Sequence, residues 1–163
     1  MILDKKDIQK IKKRKNFLEK NLHLKIDIVG ENVELKGKEI DIYIGEKVLE
    51  AIDAGFAINR ALLLLNEDYS FEKIPLKSVT RRKNLEPVIG RIIGTKGKTL
   101  RTLSELSGCF ISLKDNVVSI IGPSEKLKEI VTAIKNLIRG SKQSNVYYFL
   151  ERTKRDGEEL GLK

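Results

Sequence analysis

A four-residue segment with a glycine at each end, Gly94-Thr95-Lys96-Gly97, separates two stretches in which apolar residues recur at helical spacing. The first stretch covers residues 84–93, and Pro87 fits it only because a proline is tolerated in the first turn of a helix. The second covers residues 98–107 and is followed by Gly108, a residue type that ends helices. The sequence therefore predicts two short helices joined by a tight glycine turn.

Three strands and a longer helix are predicted around this pair of helices. In chain order they cover residues 71–76, 110–113, 117–120 and 124–139. Pro75 favours an edge position for the first strand, and Asp115-Asn116 favours a tight hairpin between the other two. This order of elements is similar to that of a eukaryotic-type KH domain, whose G-x-x-G loop clamps about four nucleotides of a single strand.

The first half of the chain is similar to the second half in its predicted order of elements more than in its amino-acid sequence. A helix, two strands and two further helices are predicted at residues 4–20, 24–28, 33–35, 46–54 and 58–65. The stretch at 38–45 is ambiguous, because Ile40, Ile42 and Ile44 alternate as in a strand but also fit a helix.

We therefore expect an α+β protein with two tandem KH-like subdomains of the eukaryotic type, each a small antiparallel sheet packed by helices. The first, at residues 1–70, is degenerate and lacks a G-x-x-G loop. The second, at 71–140, is complete, and residues 141–163 form a C-terminal helix and tail.

Positive charge is concentrated in two short segments. The chain carries 32 Lys and Arg against 23 Asp and Glu, and a net charge of +9 favours a polyanionic partner. Residues 4–20 have eight basic and three acidic side chains, residues 80–101 have seven and one, and residues 22–79 have seven and eleven. The second basic segment surrounds the glycine loop, whereas for the cations at 10–15 a solvated helix face is an equally good interpretation.

The glycine loop suits a nucleic-acid backbone for three reasons. Glycines let a phosphate approach the main chain, Lys96 adds a mobile cation, and the N–H groups that open the helix at Lys98 are oriented toward an anion. Val88, Ile89 and Ile92 offer an apolar surface for unstacked bases. The predicted RNA-binding residues are Arg81, Arg82, Lys83, Ile89, Arg91, Ile92, Ile93, Gly94, Thr95, Lys96, Gly97, Lys98 and Arg101.

Other chemistries fit the sequence less well. Gly97-Lys98-Thr99 matches the end of a nucleotide-binding P-loop, but Ile92 occupies the position of its first glycine. A single cysteine and a single histidine argue against a disulfide and against a zinc site built from these residues. We expect no enzymatic activity, no metal and no cofactor. The apolar runs are too short to cross a membrane, which favours a cytoplasmic protein with no membrane partner.

Two features of the sequence fit more than one function. The acidic residues 22–79 fit a docking surface, so a protein-interaction adaptor with KH folds used mainly as scaffold is the alternative function. Tyr147, Tyr148 and Phe149 are suited to base stacking, but packing of a C-terminal helix on the core is favoured.

The sequence also resembles the archaeal members of the partner-of-Nob family of small-subunit ribosome assembly factors. The resemblance extends over nearly the whole chain and rests on residues 51–56 (Ala-Ile-Asp-Ala-Gly-Phe), 60–62 (Arg-Ala-Leu), 90–99 (Gly-Arg-Ile-Ile-Gly-Thr-Lys-Gly-Lys-Thr) and 144–152 (Ser-Asn-Val-Tyr-Tyr-Phe-Leu-Glu-Arg). The run at 90–99 is common to many KH proteins, whereas the runs at 51–56 and 144–152 are more specific to this family.

The resemblance implies an RNA-binding protein that holds the 3′ region of small-subunit ribosomal RNA during assembly. It implies two protein partners, the Nob-type endonuclease that matures this end and, in archaea, the α subunit of initiation factor two. Archaeal relatives usually carry a second G-x-x-G loop in the first KH domain, and here Asp4-Lys5-Lys6-Asp7 takes its expected place with no strand before it. Because carboxylates repel phosphate, we expect residues 1–70 to serve packing or protein contact, with a contact from their lysine-rich helix to RNA left open.

Overall fold

The computed structural model describes residues 1–159 of the chain. These residues form two compact units, Met1–Glu67 and a second that begins at Asp68. In each unit, helices pack against a small antiparallel sheet, which confirms the predicted α+β fold class.

The first unit begins with two short helices and a hairpin. Its helices and strands are α1 (Lys5–Lys13), α2 (Lys15–Leu22), β1 (Lys25–Val29), β2 (Asn32–Lys36), α3 (Glu39–Asp53) and α4 (Ile58–Ala61), and a 3-10 turn at Leu62–Leu65 follows. The apolar residues predicted to face inward from the first helical stretch, Ile8, Ile11 and Leu18, are all buried.

Residues 1–3 pair with this hairpin through a single antiparallel bridge between Ile2 and Asn32. The N–H of Val33 donates to the carbonyl of Met1 at 2.8 Å, and the N–H of Leu3 donates to the carbonyl of Glu31 at 2.9 Å. Strand β2 therefore lies between residues 1–3 and β1. No regular strand precedes the first helix, as expected, but an extended segment with one bridge does.

Helix α3 resolves the ambiguous stretch at residues 38–45 as helix. Its Gly45 is buried, and a Cβ at this position would lie 2.8 Å from Leu24 Cδ2 and 3.0 Å from Leu35 Cδ1. The helix thus approaches the hairpin more closely than a larger residue would allow.

The second unit contains a three-stranded sheet and four helices within the described residues. Its elements are β3 (Tyr69–Pro75), α5 (Glu86–Ile93), α6 (Lys98–Ser107), β4 (Phe110–Lys114), β5 (Val117–Pro123), α7 (Ser124–Arg139) and α8 (Gln143–Glu159), with 3-10 turns at Leu76–Ser78 and Thr95–Gly97. The strand order is β3-β5-β4, and both pairings are antiparallel. Strand β3 is at an edge, as Pro75 predicted, and Asp115 and Asn116 have the positive φ angles of a tight hairpin turn.

The core of the second unit lies between its sheet and its helices. Strand β5 is central, and five consecutive residues of it are buried. Helix α7 contributes six buried residues from one face. Helix α8 packs on α6 and α7 and adds Val146 and Leu150 to the same core.

The two units share an order of elements, which locates the place in the first unit that corresponds to the glycine loop. In each unit the first extended segment, a single bridge at Ile2 in one and β3 in the other, pairs with the last strand of the sheet, and two helices come between this segment and the hairpin. In the first unit these helices meet at Arg14, which has φ −118° and ψ 20°. The corresponding place is therefore the α1–α2 junction.

Residues 4–7, Asp-Lys-Lys-Asp, have a different role from the one predicted. The Asp4 carboxylate accepts the N–H of Asp7 at 2.9 Å and caps the beginning of α1. The prediction that Asp4-Lys5-Lys6-Asp7 replaces a phosphate-binding loop is therefore wrong, because this run begins the first helix and does not separate two helices.

Candidate nucleic-acid interface

The glycine loop is a tight turn that presents Lys96 at its tip. Gly94, Lys96 and Gly97 have φ angles of +74°, +54° and +75°, and Lys96 is exposed. The N–H of Gly94 donates to the carbonyl of Gly90 at 2.8 Å, and the N–H of Gly97 donates to the carbonyl of Gly94 at 3.2 Å. These bonds fix the turn between α5 and α6 without any contribution from a bulky side chain.

The first glycine of the loop is required by the protein itself. A Cβ at Gly94 would overlap the hydroxyl of Thr99 and would lie 2.7 Å from the Thr99 nitrogen. Thr99 is in the first turn of α6 and is buried. Gly94 therefore allows the loop to fold back closely onto the start of α6.

Two other glycines face open space. A Cβ at Gly97, or at Gly90 in the middle of α5, would meet no atom within 4 Å. Gly97 has the positive φ that favours glycine, but Gly90 lies in a regular helix, where glycine is less favourable than alanine by about 0.8–1.0 kcal/mol. Nothing inside the described protein requires a glycine at position 90, and its cost to the helix is consistent with close approach of a bound molecule.

Positive charge surrounds these open glycines. Lys96, Lys98 and Arg101 are exposed on the loop and on α6, and the Arg101 guanidinium donates to the carbonyl of Lys96 at 3.4 Å. Arg81, Arg82 and Lys83 are also exposed, in the segment before α5. The N–H groups at the start of α6 add a partial positive charge at the same place.

Helix α8 forms one wall of a cleft beside the loop. The Gln143 amide donates to the Thr99 hydroxyl at 3.0 Å and to the Arg91 carbonyl at 3.3 Å, and the Arg91 guanidinium donates to the Ser141 carbonyl. The resulting cleft has a volume of about 430 Å³. It is lined by Pro87, Gly90, Arg91, Gly94, Thr95, Lys98, Thr99, Gln143 and Tyr147.

The structure brings the loop residues together with Arg91, Lys98 and Arg101, whereas Arg81, Arg82 and Lys83 lie before the opposite end of α5. The apolar residues of α5 that were predicted to contact bases divide into two groups. Ile89 is half-buried and Ile93 is 36% exposed, whereas Ile92 and Val88 are buried in the core. The prediction that these last two side chains offer a surface for bases is wrong. In an amphipathic helix, residues four apart share a face, and this pair faces the core of the unit.

Five residues that line the cleft are absent from the predicted site, namely Pro87, Gly90, Thr99, Gln143 and Tyr147. Gly90 carries a detectable signal, since an isolated glycine within a helical pattern requires an explanation. Gln143 and Tyr147 belong to α8, whose position beside the loop was not evident from the sequence. Tyr147 and Phe149 pack against the core, as favoured, and Tyr148 is 57% exposed.

Comparison with known proteins assigns the second unit to a domain family. Residues 70–155 match the model of the eukaryotic type KH-domain (KH-domain type I) that describes the second KH domain of PNO1. This range contains the sheet, the glycine loop and most of α8.

Two curated relatives and one solved structure extend the similarity beyond this domain. A KH domain-containing protein of Methanocaldococcus jannaschii is 30% identical over 145 residues, which cover 85% of this chain and 64% of that protein. RNA-binding protein PNO1 of Oryzias latipes is 36% identical over 134 residues, which cover 77% of this chain and 55% of that protein. The chain thus spans between about half and two thirds of the length of these two relatives.

The solved structure is a chain of the a/eIF2alpha-aDim2p-rRNA complex from Pyrococcus horikoshii. It superposes on this chain with a TM-score of 0.85 and 33% identity, and the match covers 96% of this chain and 93% of that one. In the described part of this chain, no helix is both long enough and apolar enough to span a membrane.

Proposed function

The chain belongs to the PNO1 family of type I KH-domain proteins, and from this premise we propose that it binds single-stranded RNA at the glycine loop of its second unit. The observation that carries this proposal is the pair of open glycines, Gly90 and Gly97, beside exposed cations. Glycine at position 90 costs helix stability and satisfies no contact within the described protein. An RNA backbone that passes close to α5 gives this residue a function.

In the proposed complex, phosphates and bases are bound by different parts of the surface. Phosphates contact the loop and the start of α6, where Lys96, Lys98 and Arg101 supply positive charge. Unstacked bases lie against the exposed or half-buried apolar residues Ile89 and Ile93. Arg81, Arg82 and Lys83 contribute longer-range attraction, and the guanidinium of Arg91 acts indirectly by fixing the segment that leads into α8.

The RNA that we propose is the 3′ region of small-subunit ribosomal RNA, held during ribosome assembly in a role without catalysis. Support comes from the relative named RNA-binding protein PNO1 and from the complex of aDim2p with rRNA. The same complex contains a/eIF2alpha, which supports the α subunit of initiation factor two as a protein partner. The Nob-type endonuclease stays a prediction of the family resemblance.

We propose that the predicted ranges 1–70, 71–140 and 141–163 act in this function as two units, because residue 70 lies within β3 and α8 adds to the core of the unit that begins at Asp68. The predicted tail at 160–163 lies outside the described residues. The adaptor alternative places protein docking on the acidic residues 22–79. It is compatible with RNA binding at the other unit, so the two roles are separable by mutation.

Replacement of Thr95 and Lys96 by Asp tests the proposed site. Both residues are exposed, so the double variant T95D/K96D is expected to retain its fold, whereas two new negative charges repel phosphate at the loop tip. RNA affinity is expected to fall at least tenfold, or about 1.4 kcal/mol. Fluorescence anisotropy with a single-stranded RNA from the rRNA 3′ region measures this loss, and thermal melting checks the fold.

A matched control lies on α7 of the same unit. The variant K128D/T132D exchanges one exposed lysine and one exposed threonine for aspartate, as at the loop, but away from the proposed site. It is expected to bind RNA within about threefold of the wild-type chain, because only long-range electrostatics change. Equal losses from both double variants, or no loss at the loop, would contradict the proposal.

A further inference from the structure

Helix α8 is linked to the glycine loop by a side chain at its start. The Gln143 amide nitrogen donates to the Thr99 hydroxyl at 3.0 Å and to the Arg91 carbonyl at 3.3 Å. Arg91 is in the last turn of α5 and Thr99 is in the first turn of α6. One amide group therefore joins the two helices between which the glycine loop turns.

Both acceptors of these bonds are placed to affect the loop. The last carbonyls of a helix have no donor within the helix, and Gln143 supplies a donor to the Arg91 carbonyl. Thr99 is 4% exposed, and a buried hydroxyl requires a hydrogen-bond partner. Because a Cβ at Gly94 would overlap this hydroxyl, the loop lies directly on the group that Gln143 holds.

The docking of α8 rests on other residues. Val146 and Leu150 of this helix are buried in the core of the second unit, whereas Gln143 is exposed. The Arg91 guanidinium also donates to the Ser141 carbonyl, in the segment that leads into α8. A substitution at position 143 is therefore expected to remove the link to the loop while α8 stays docked.

We propose that Gln143 is a positioning residue for RNA binding, which acts on the RNA by holding the glycine loop in the conformation that receives phosphate. Affinity is lower when a loop has to be ordered by its ligand, because the loss of conformational freedom opposes binding. This inference rests on the proposed function, in which the glycine loop binds single-stranded RNA. It gives a role in that function to α8, which lies outside the predicted KH range 71–140.

The link also couples RNA binding to the docking of α8. If docked α8 favours the RNA-binding conformation of the loop, bound RNA favours docked α8 by the same factor, because a coupling free energy is reciprocal. Bound RNA is therefore expected to slow hydrogen exchange of the N–H groups at the start of α8. A bond that served stability alone would not transmit this protection.

The variant Q143M tests the positioning role. Methionine has a similar length but no donor, so both bonds are removed without a large change in side-chain size. In the protein without RNA, the N–H groups of Gly94 and Gly97 are expected to exchange about fivefold faster, with unchanged exchange in α7. Affinity for a single-stranded RNA from the rRNA 3′ region is expected to fall about fivefold in fluorescence anisotropy, because the RNA then has to order the loop.

Asn145 provides matched controls on the same helix. Its amide is exposed and forms no side-chain hydrogen bond with a described residue, so N145M is expected to keep loop exchange and RNA affinity within about twofold of the wild-type chain. Q143K restores a donor to both acceptors, whereas N145K adds the same charge without the bonds. Only Q143K is therefore expected to restore slow exchange at Gly94 and Gly97 when it is compared with Q143M.

Each outcome decides for or against the inference. Unchanged RNA affinity or unchanged loop exchange in Q143M would overturn it, as would equal effects in N145M. Protection of α8 by RNA that persists in Q143M would indicate direct contact and would also overturn it.

Two further outcomes separate the inference from stability and from the proposed function. If Q143M melts at a lower temperature, faster exchange throughout the second unit would assign Gln143 to stability and overturn the positioning role, whereas faster exchange confined to the loop and the start of α8 supports it. Failure of the wild-type chain to bind the RNA, or normal binding by T95D/K96D, would instead overturn the proposed function. Loop exchange in Q143M without RNA is measured independently of that result.

Discussion

At the scale of single residues, three glycines within residues 90–97 meet different demands. Gly94 is fixed by an intramolecular contact, because any larger residue would overlap Thr99. Gly97 combines a positive φ with open space, and Gly90 has open space alone. Position 90 is therefore the one of the three where neither an intramolecular contact nor a positive φ requires glycine.

Replacement of Gly90 by Ala is expected to separate these two properties. The added methyl group meets no atom of the described protein and improves helix propensity, so the free energy of unfolding should rise by about 0.5–1 kcal/mol. RNA affinity should fall about threefold or more, because the methyl group occupies space close to the bound backbone. Chemical denaturation and fluorescence anisotropy measure the two effects on the same preparation.

Gly94→Ala is the matched control for this experiment. It adds the same methyl group four residues away, where it collides with Thr99, and a forced fit of this kind costs about 1–3 kcal/mol. Unchanged RNA affinity in the Gly90 variant would show that no ligand approaches α5 at this point, and a loss of stability would contradict the open space at position 90.

At the level of secondary-structure elements, Cys109 at the start of β4 packs closely against Gly122 near the end of β5. A Cβ at Gly122 would overlap the sulfur of Cys109 and lie 3.0 Å from its Cβ. The thiol is buried and donates to the Ser107 carbonyl at 3.6 Å. Burial raises the pKa of the Cys109 thiol, because a thiolate is poorly solvated in this position, and the nearby Ser107 only partly opposes the effect.

The raised pKa predicts a pH dependence of stability. The folded state holds the thiol proton more firmly than the unfolded state. The stability that the protonated thiol contributes is therefore fully present below the pKa of an unfolded thiol, about 8.5. This stability is lost as the pH rises above that value and through the pKa of the Cys109 thiol in the folded state. Urea denaturation should show the stability of the wild-type chain relative to Cys109→Ala constant up to that pH and falling above it, by up to about 1.4 kcal/mol per unit of pKa difference. A relative stability that rises with pH would contradict this assignment.

Elements with a strong local pattern were predictable from the sequence. Helix α7 shows an uninterrupted apolar face with a glycine stop, and the β4–β5 hairpin has a turn sequence that accepts positive φ. Only the second part of helix α3, residues 46–54, was predicted as helix, since the alternation of Ile40, Ile42 and Ile44 also suits a strand. Packing of Gly45 against the hairpin fits a helix there, and that contact is formed between residues far apart in sequence.

The candidate site was predictable as a segment but not as a surface. The glycine loop and its cations follow from local spacing, and the structure brings them together with Gly90. The burial of Ile92, the position of α8 and the α1–α2 junction depend on tertiary packing. A single β-bridge at Ile2 and a helix break at Arg14 carry no local signal of their own.

At the scale of the whole molecule, positive charge accumulates at two corresponding places of a repeated architecture. Residues 4–20 contain the α1–α2 junction and residues 80–101 contain the glycine loop, while residues 22–79 have four more acidic than basic side chains. Such a distribution concentrates attraction for a polyanion at two helix junctions and leaves other surfaces for protein partners. The glycine loop is the junction that we propose binds the 3′ region of small-subunit ribosomal RNA.

Ultraviolet crosslinking in cells, followed by sequencing of the RNA attached to the full chain, is the decisive test of this binding. Reads are expected to cluster at the 3′ end of small-subunit rRNA, and the cluster is expected to be lost in the T95D/K96D variant but not in K128D/T132D. Reads scattered over messenger RNAs, or a 3′ cluster that is unchanged in the loop variant, would contradict it.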